Sequence, residues 1–377
     1  MPLNKETAIN NACTNNMEKA IINRRFQFRN KSHVKLNQKQ ILTRNRIRGK
    51  IENGTYRLVE SPCLCGQGGG VVIAETDRYG LHLNTAICRE CGLLRTNPRL
   101  DKYSLEEFYK CEYRDLYMES ERVGKGYFEW MVVRGRMIKG LIKGYCAEID
   151  FSGMDVFEIG CSAGGLLVPF LEEGATVRGC DYDQRFIDYG NKLRPGLNLF
   201  HGGLDNLKSE NKKYDLVIIN HVLEHLPDPN HAIEIINNSL KPNGILYVSV
   251  PGLKNPEYYF SPIKSFMGSL HIAHLYHFSE LSLVQLMKGF KVIYTDDTIC
   301  AIFQLNGNES GLRASLSSEY LGNIEFINQY EKSYKWKMKR LGLILKNIPN
   351  LIKMVMPSPF IKVIKVVRKR MKLSKLL

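Results

Sequence analysis

From residue 154 onward, short apolar runs alternate with amphipathic stretches, and this alternation restricts the fold more than any other feature of the chain. "MDVFEI" (154–159), "ATVRGCD" (175–181), "LNLFHG" (197–202), "YDLVIIN" (214–220) and "GILYVSV" (244–250) have the length and apolar density of buried strands. Between and after them, "GGLLVPFLEEG" (164–174), "QRFIDYGNKL" (184–193), "NHAIEIINNSL" (230–240) and "SELSLVQLMKGF" (279–290) read as helices. Strands alternating with such helices form βαβ units and a mainly parallel sheet. "KVIYTDD" (291–297) and "TICAIFQL" (298–305) predict a closing hairpin, which brings the sheet to seven strands. Helices should cover both faces.

The flanks differ from this middle. Residues 1–55, rich in Asn, Lys, Arg and Gln, predict a basic and largely disordered tail, with a short helix at most. A cysteine-bearing module follows at 56–100, then an aromatic-rich helical linker or lid at 101–150. The α/β domain spans 151–310, and a basic amphipathic helical tail spans 311–377. Charge follows the same division. Residues 1–60 carry 13 Lys/Arg against 4 Asp/Glu, and residues 331–377 carry 14 against 1, whereas the middle is net acidic. Basic ends around an acidic globule suit contact with something anionic and argue against a basic catalytic groove. The C-terminal runs pair Lys/Arg with Leu, Ile, Val and Trp336, the composition of helices that lie in an anionic membrane interface. No apolar run is long enough to span a membrane and no secretory signal opens the chain, so a cytoplasmic protein is expected, peripheral to the membrane through its C-terminus.

The loop after the first strand, "FEIGCSAGG" (157–165), fits three chemistries. Gly160–Gly164 spells G-x-S-x-G, the nucleophile elbow of a serine hydrolase. That reading needs strands and an oxyanion loop upstream, but the preceding 50 residues read as helical. Gly160–Gly165 nearly spells the dinucleotide loop G-x-G-x-x-G, and Asp181 ends the second strand where a ribose-binding carboxylate belongs. Glu158, immediately before the loop, favours a ligand with a cationic amino-acid moiety over a pyrophosphate, which it would repel. S-adenosylmethionine (SAM) has that moiety and a ribose.

"VFEIGCSAGG", "GCDYD", "YDLVIINHVLEHLPDP" and "LKPNGILYVSVPG" resemble, in order and spacing, the successive motifs of class I SAM-dependent methyltransferases over about 150–300. The resemblance implies a Rossmann-like sheet. It also implies that Glu158, Gly160 and Gly164 line the methionine and ribose side, with Cys161 beside them, and that Asp181 and Tyr182 hold the ribose end. Gly203 and Leu204 would flank the adenine, and Asn220 and His221 would sit beside the sulfonium.

Cys63-Leu-Cys65 and Cys88-Arg-Glu-Cys91 are two close pairs, each followed by glycine. In a reducing compartment such pairs suit a tetrahedral structural zinc, with Cys63, Cys65, Cys88 and Cys91 as ligands and no position left open for catalysis. The segment "ICRECGLLRTNPRLDKYSLEEFY" (87–109) resembles the N-terminal metal-binding piece of bacterial methyltransferases from sugar and surface-polysaccharide pathways, including sugar C-methyltransferases. Those usually begin with C-x-x-C, where this chain has C-x-C.

Oxygen or carbon methylation also requires removal of a proton. Six of the nine histidines lie within 221–277, in "NHVLEHL" and "HIAHLYHFS" and at His231. In the resembling families a His or Glu of the first cluster and a His of the second face the acceptor. By that resemblance His225 is the expected base, Glu224 its alternative, and His274 or His277 positions the substrate. The expected acceptor is a small-molecule or lipid-linked sugar, methylated at oxygen or carbon. RNA ranks lower, because the loop after the fourth strand reads Asn-His-Val-Leu instead of an N/D-P-P-Y/F signature, and no Pro-Cys pair is present there. A SAM-binding scaffold without turnover is the non-enzymatic alternative.

Overall fold

The computed structural model describes residues 17–117, 124–146, 148–209, 212–255, 265–297, 299–305 and 319–334. The chain divides into two compact units, residues 1–327 and 328–377. The basic C-terminal segment expected to form amphipathic helices lies outside the described residues from 335 on. Among the described residues, no helix is long and apolar enough to cross a membrane.

The first unit opens with β1 (Glu18–Lys19) and α1 (Gln38–Glu52), followed by β2 (Leu58–Val59), β3 (Val71–Ala74), β4 (Thr85–Ile87), β5 (Leu94–Thr96) and β6 (Arg99–Leu100). Helices α2 (Lys102–Cys111), α3 (Tyr113–Tyr117) and α4 (Lys125–Tyr145) lead into the alternating part. That part runs β7 (Asp155–Ile159), α5 (Val168–Leu171), β8 (Thr176–Asp181), α6 (Gln184–Leu193), β9 (Leu199–His201) and α7 (Leu204–Ser209). It continues with β10 (Tyr214–Asn220), α8 (Pro229–Ser239), β11 (Leu240–Ser249), β12 (Tyr276–His277), α9 (Glu280–Leu286), β13 (Phe290–Tyr294) and β14 (Cys300–Leu305).

Seven strands form the central sheet in the order β13-β14-β11-β10-β7-β8-β9. The five from β11 to β9 are parallel, and β14 runs antiparallel to both of its neighbours, β11 and β13. The strand alternation and the closing hairpin expected from the sequence are therefore present. Side chains alternate across the sheet with a period of two residues. Val217 and Ile219 of β10 enter the core on one face, and Leu216 and Ile218 enter the core on the other. The second core takes Phe128, Val132 and Ile138 from α4, and the first takes Ile233 and Ile236 from α8. Helices thus cover both faces.

Two features depart from the sequence reading. The N-terminal tail, read as largely disordered, carries the 15-residue α1 and starts it with a full capping box: Asn37 accepts from the Gln40 amide, and the Gln40 side chain accepts from the Asn37 amide. Ile47 and Phe26 are completely buried. The composition hid this because a few well-placed apolar residues are enough to dock a polar helix. The cysteine module is also not separate from the α/β domain. Its sheet, β1-β3-β4-β5-β12, takes β12 from the far side of the sequence, with Tyr276 opposite Arg95 and His277 opposite Leu94. A two-residue strand leaves no periodic signal in the sequence.

Helix α4 meets the loop after β7 at backbone distance. A Cβ built on Gly135 would lie 2.3 Å from the Leu166 carbonyl oxygen, and one on Gly165 would lie 2.7 Å from the Phe128 oxygen. In an isolated helix Gly→Ala gains about 1 kcal/mol. Here Gly135→Ala is expected to reverse that sign, because overpacking costs about 1–3 kcal/mol. Denaturant unfolding with an unchanged m-value would report a net loss.

Asp77 gives a pH signature. Its Oδ1 accepts the Tyr79 and Leu81 amides, its Oδ2 is buried without a partner, and burial pushes the carboxyl from 3.8 up to about 7. A carboxyl whose folded pKa is raised keeps its proton in the native state while the unfolded chain releases it. Stability should therefore fall as pH rises from about 4 to 7. Asp77→Asn keeps the amide acceptor and should flatten that part of a stability-versus-pH curve.

Candidate active site

The carboxyl ends of β7, β8 and β10 bring the predicted loop residues together. Gly160 and Gly164 adopt left-handed backbone (φ +71° and +70°) and Ser162 does so as well (φ +50°), turning the chain sharply over the end of the sheet. The Gly160 and Cys161 amides donate to the Cys180 carbonyl at 2.8 and 2.9 Å, which ties the loop to β8. A Cβ on Gly160 would lie 2.4 Å from Val222 Cγ2, so only glycine fits there. Ser162 donates its amide to Asp181 Oδ2 at 2.9 Å, and Asp183 donates its amide to Oδ1 at 2.8 Å. Asp181 thus has both oxygens oriented by backbone, and a carboxylate has about four acceptor sites, which leaves capacity for two hydroxyls. Cys161 is buried beside this loop.

Glu158 is 1% exposed and its Oε2 has no hydrogen-bond partner; burial, and then Asp181, raise its pKa well above the ordinary range, while Arg134 opposes the rise. Asn220 Oδ1 is likewise buried without a partner. Unpaired buried acceptors are costly, and two at the mouth of the sheet suit a ligand with cationic and hydroxyl groups. Beyond Asp181, Tyr182 is 74% exposed and its hydroxyl lies over Gly203, where a Cβ would approach to 2.2 Å. Leu204 begins α7 next to it.

Beyond Asn220 the chain turns through His221, which holds a left-handed backbone (φ +55°) and donates its amide to the Ser249 carbonyl at 2.7 Å. Arg134 Nη2 lies 2.8 Å from His221 Nε2. Arginine only donates, so Nε2 accepts and a neutral His221 carries its proton on Nδ1. That atom is 3.5 Å from Glu224 Oε1.

A short 3-10 turn, Leu223–His225, then presents Glu224 and His225. His225 Nδ1 lies 2.8 Å from the Ala273 carbonyl and 3.1 Å from the Tyr109 hydroxyl. A carbonyl only accepts, so the proton resides on Nδ1 and the Nε2 lone pair is available. His225 Nε2 lies 3.7 Å from Glu224 Oε1, and His274 Nε2 lies 4.0 Å from it. Both Glu224 oxygens are buried without a hydrogen bond. Burial raises the Glu224 carboxyl, but the His225 and His221 imidazoles outweigh it and hold the pKa below the ordinary value.

The second histidine cluster packs on the first, with ring centroids 4.9 Å apart for His225–His274 and 3.7 Å apart for His271–His274. His277 stands further off, 5.8 Å from His274. Burial holds His271 and His274 well below 6.5, and holds His277 down to about 4, so all three are neutral near pH 7. The cysteine module supports this loop. Thr96 donates its hydroxyl to the His274 carbonyl at 2.8 Å and its amide to the Leu275 carbonyl at 3.0 Å.

Residues that the sequence reading passed over complete the site. Tyr109, Tyr113 and Tyr117 form an aromatic wall beside His225 and His271, with Tyr113 and Tyr117 stacked at 5.3 Å. Arg78 lies over Tyr79 and Tyr117. Tyr127 and Arg134 reach the loop and His221 from α4. The aromatic content of 101–150 was visible in the sequence, but which helical face meets the sheet was not.

The cysteines converge elsewhere in the unit. Cys63 and Cys91 sulfurs are 3.4 Å apart, those of Cys65 and Cys88 are 3.7 Å apart, and all four lie within 4.8 Å of one another. A tetrahedron with Zn–S bonds of about 2.3 Å has edges of about 3.8 Å, so these thiols fit the metal.

Residues 134–294 match the family described as "Methyltransferase domain". A ubiquinone biosynthesis O-methyltransferase of Bartonella bacilliformis is 28% identical over 103 residues, which is 26% of this chain and 42% of that protein. One from Coxiella burnetii is 25% identical over 187 residues, 46% of this chain and 78% of that protein. The chain thus spans less than half of the first relative. Magnesium protoporphyrin IX methyltransferase from Synechocystis PCC 6803, solved with bound S-adenosylhomocysteine, is 16% identical with a TM-score of 0.38, covering 54% of this chain and 98% of that one. Residues 134–294, which carry most of the seven-stranded sheet and the glycine loop after β7, are therefore the part of the chain that is similar to the methyltransferase domain family.

Proposed function

We propose that the chain transfers a methyl group from SAM to an oxygen or carbon of a small hydroxylated acceptor, a sugar or lipid-linked glycan precursor. The observation that carries this reading is the convergence of Glu224 and His225 with His271, His274 and His277 beside the loop of Gly160–Gly164. SAM, once bound, supplies an electrophilic methyl group. Asp181 accepts the ribose hydroxyls, Glu158 faces the amino group, and Arg134 is near enough to the same end to meet the carboxylate. Gly203, Leu204 and Tyr182 flank the adenine.

His225 Nε2 takes the acceptor's proton, since its Nδ1–H is committed to the Ala273 carbonyl. The Glu224 carboxylate, 3.7 Å away, stabilises the resulting imidazolium. The neutral imidazoles of His274 and His277 and the stacked face of Tyr113 and Tyr117 orient an acceptor with several hydroxyls and a C–H face. The tyrosines also exclude water from the reacting atoms. The four cysteines hold a structural zinc that fixes the β5–β12 pairing and hence the second histidine loop. A membrane contact through the basic C-terminal segment accords with a lipid-linked acceptor.

A phenolic hydroxyl is the second reading, favoured by the O-methyltransferase relatives. Mass spectrometry of nucleotide sugars, lipid-linked glycans and quinone precursors, with and without the protein, separates the two. The proposal expects a one-methyl mass gain in a glycan pool. A gain confined to phenolic compounds would replace it, and SAM binding without any gain would favour a scaffold.

A further inference from the structure

The Glu224 carboxylate creates a problem that methyl transfer alone does not solve. It is 1% exposed, and neither oxygen has a partner at ordinary hydrogen-bond length. A buried charge is normally paired or coordinates a metal. His225 Nε2 and His274 Nε2 lie 3.7 and 4.0 Å from its Oε1, longer than hydrogen bonds. These separations instead resemble those of ligands that share an ion. Donors at about 2.0–2.2 Å from a metal stand roughly 3–4 Å apart. One atom each from Glu224, His225 and His274 lies within 4.8 Å of the others.

Further unpaired ring nitrogens lie in the same histidine cluster. His274 Nδ1, His271 Nε2 and His277 Nε2 are buried and have no hydrogen-bond partner. The geometry points to a divalent transition-metal site formed by Glu224, His225 and His274, a second metal centre separate from the cysteine cluster. Two imidazoles and one carboxylate suit zinc, cobalt or iron(II) and disfavour magnesium and calcium, which take oxygen ligands. The ion would take up the His225 Nε2 lone pair. The inference therefore rests on the proposed function for its consequence: the metal-loaded chain cannot use His225 as a base, and the site is a switch that turns methyl transfer off.

Cobalt(II) is the probe, added to the metal-stripped full chain. The expected result is two equivalents per chain. One gives the thiolate-to-cobalt charge-transfer absorption of the cysteine site, and the other gives only weaker ligand-field bands. Glu224→Gln and His274→Gln should each lose the second equivalent and keep the first, and the retained thiolate band reports that both variants are folded. Equal cobalt uptake by wild type and both variants, or ligand-field bands unchanged in them, would overturn the inference. In an assay of methyl transfer, the second equivalent should stop turnover and a competing chelator should restore it. Undiminished turnover with the second site full would overturn the switch. If the second equivalent binds but SAM does not, the methyltransferase reading fails and the metal site stands. If SAM binds and the second equivalent is missing, the reverse holds.

Discussion

His225→Gln should lower kcat by about 10²- to 10⁴-fold, the usual contribution of a positioned general base, while SAM affinity stays within a factor of about two. The glutamine amide can still donate to the Ala273 carbonyl that His225 Nδ1 contacts at 2.8 Å, so the 3-10 turn keeps its anchor. What disappears is the lone pair facing Glu224. Steady-state rates and calorimetric SAM titration on one preparation separate chemistry from cofactor binding. Equal losses in both would mean that the substitution had damaged the site generally, and an unchanged kcat would remove His225 from the mechanism.

Stripping the cysteine site should have a large effect of a different kind. Structural zinc contributes about 10 kcal/mol or more of apparent folding energy in small metal-organised modules. Here the consequence should extend to the histidines, because β5 pairs with β12 and Thr96 holds the His274 and Leu275 backbone. Cys88→Ser, which removes one of the two knuckle ligands, should lower the melting temperature and release zinc. Hydrogen exchange should rise in 271–277 as well as in 85–100. Faster exchange in the module alone would show that the second histidine loop stands without it.

The glycine-loop end of this site was legible in the sequence because its parts are local. Glu158, Gly160, Gly164 and Asp181 lie on consecutive strand–loop–strand segments, and the left-handed turn that needs glycine is written in the spacing itself. The abundance of histidine in 221–277 was visible too, yet nothing in the linear order shows that His271 and His274 pack against His225 across about 50 residues of chain. The helices of 101–150 were harder still. Arg134, Tyr109 and Tyr127 come from helices whose buried face is chosen by tertiary contacts such as Gly135 against Leu166. The N-terminal α1 was missed because its apolar residues form no clear stripe, and it is held by a capping box and a few docked side chains.

The claim from which the rest follows is that this sheet edge binds SAM. Isothermal titration of SAM into the purified chain tests it directly. The account predicts one SAM per chain, with binding weakened about 10- to 100-fold in Asp181→Ala, since bonds to a charged acceptor are worth about 1.5–3 kcal/mol. No heat of binding in the wild-type chain, or an affinity unchanged by Asp181→Ala, would contradict it.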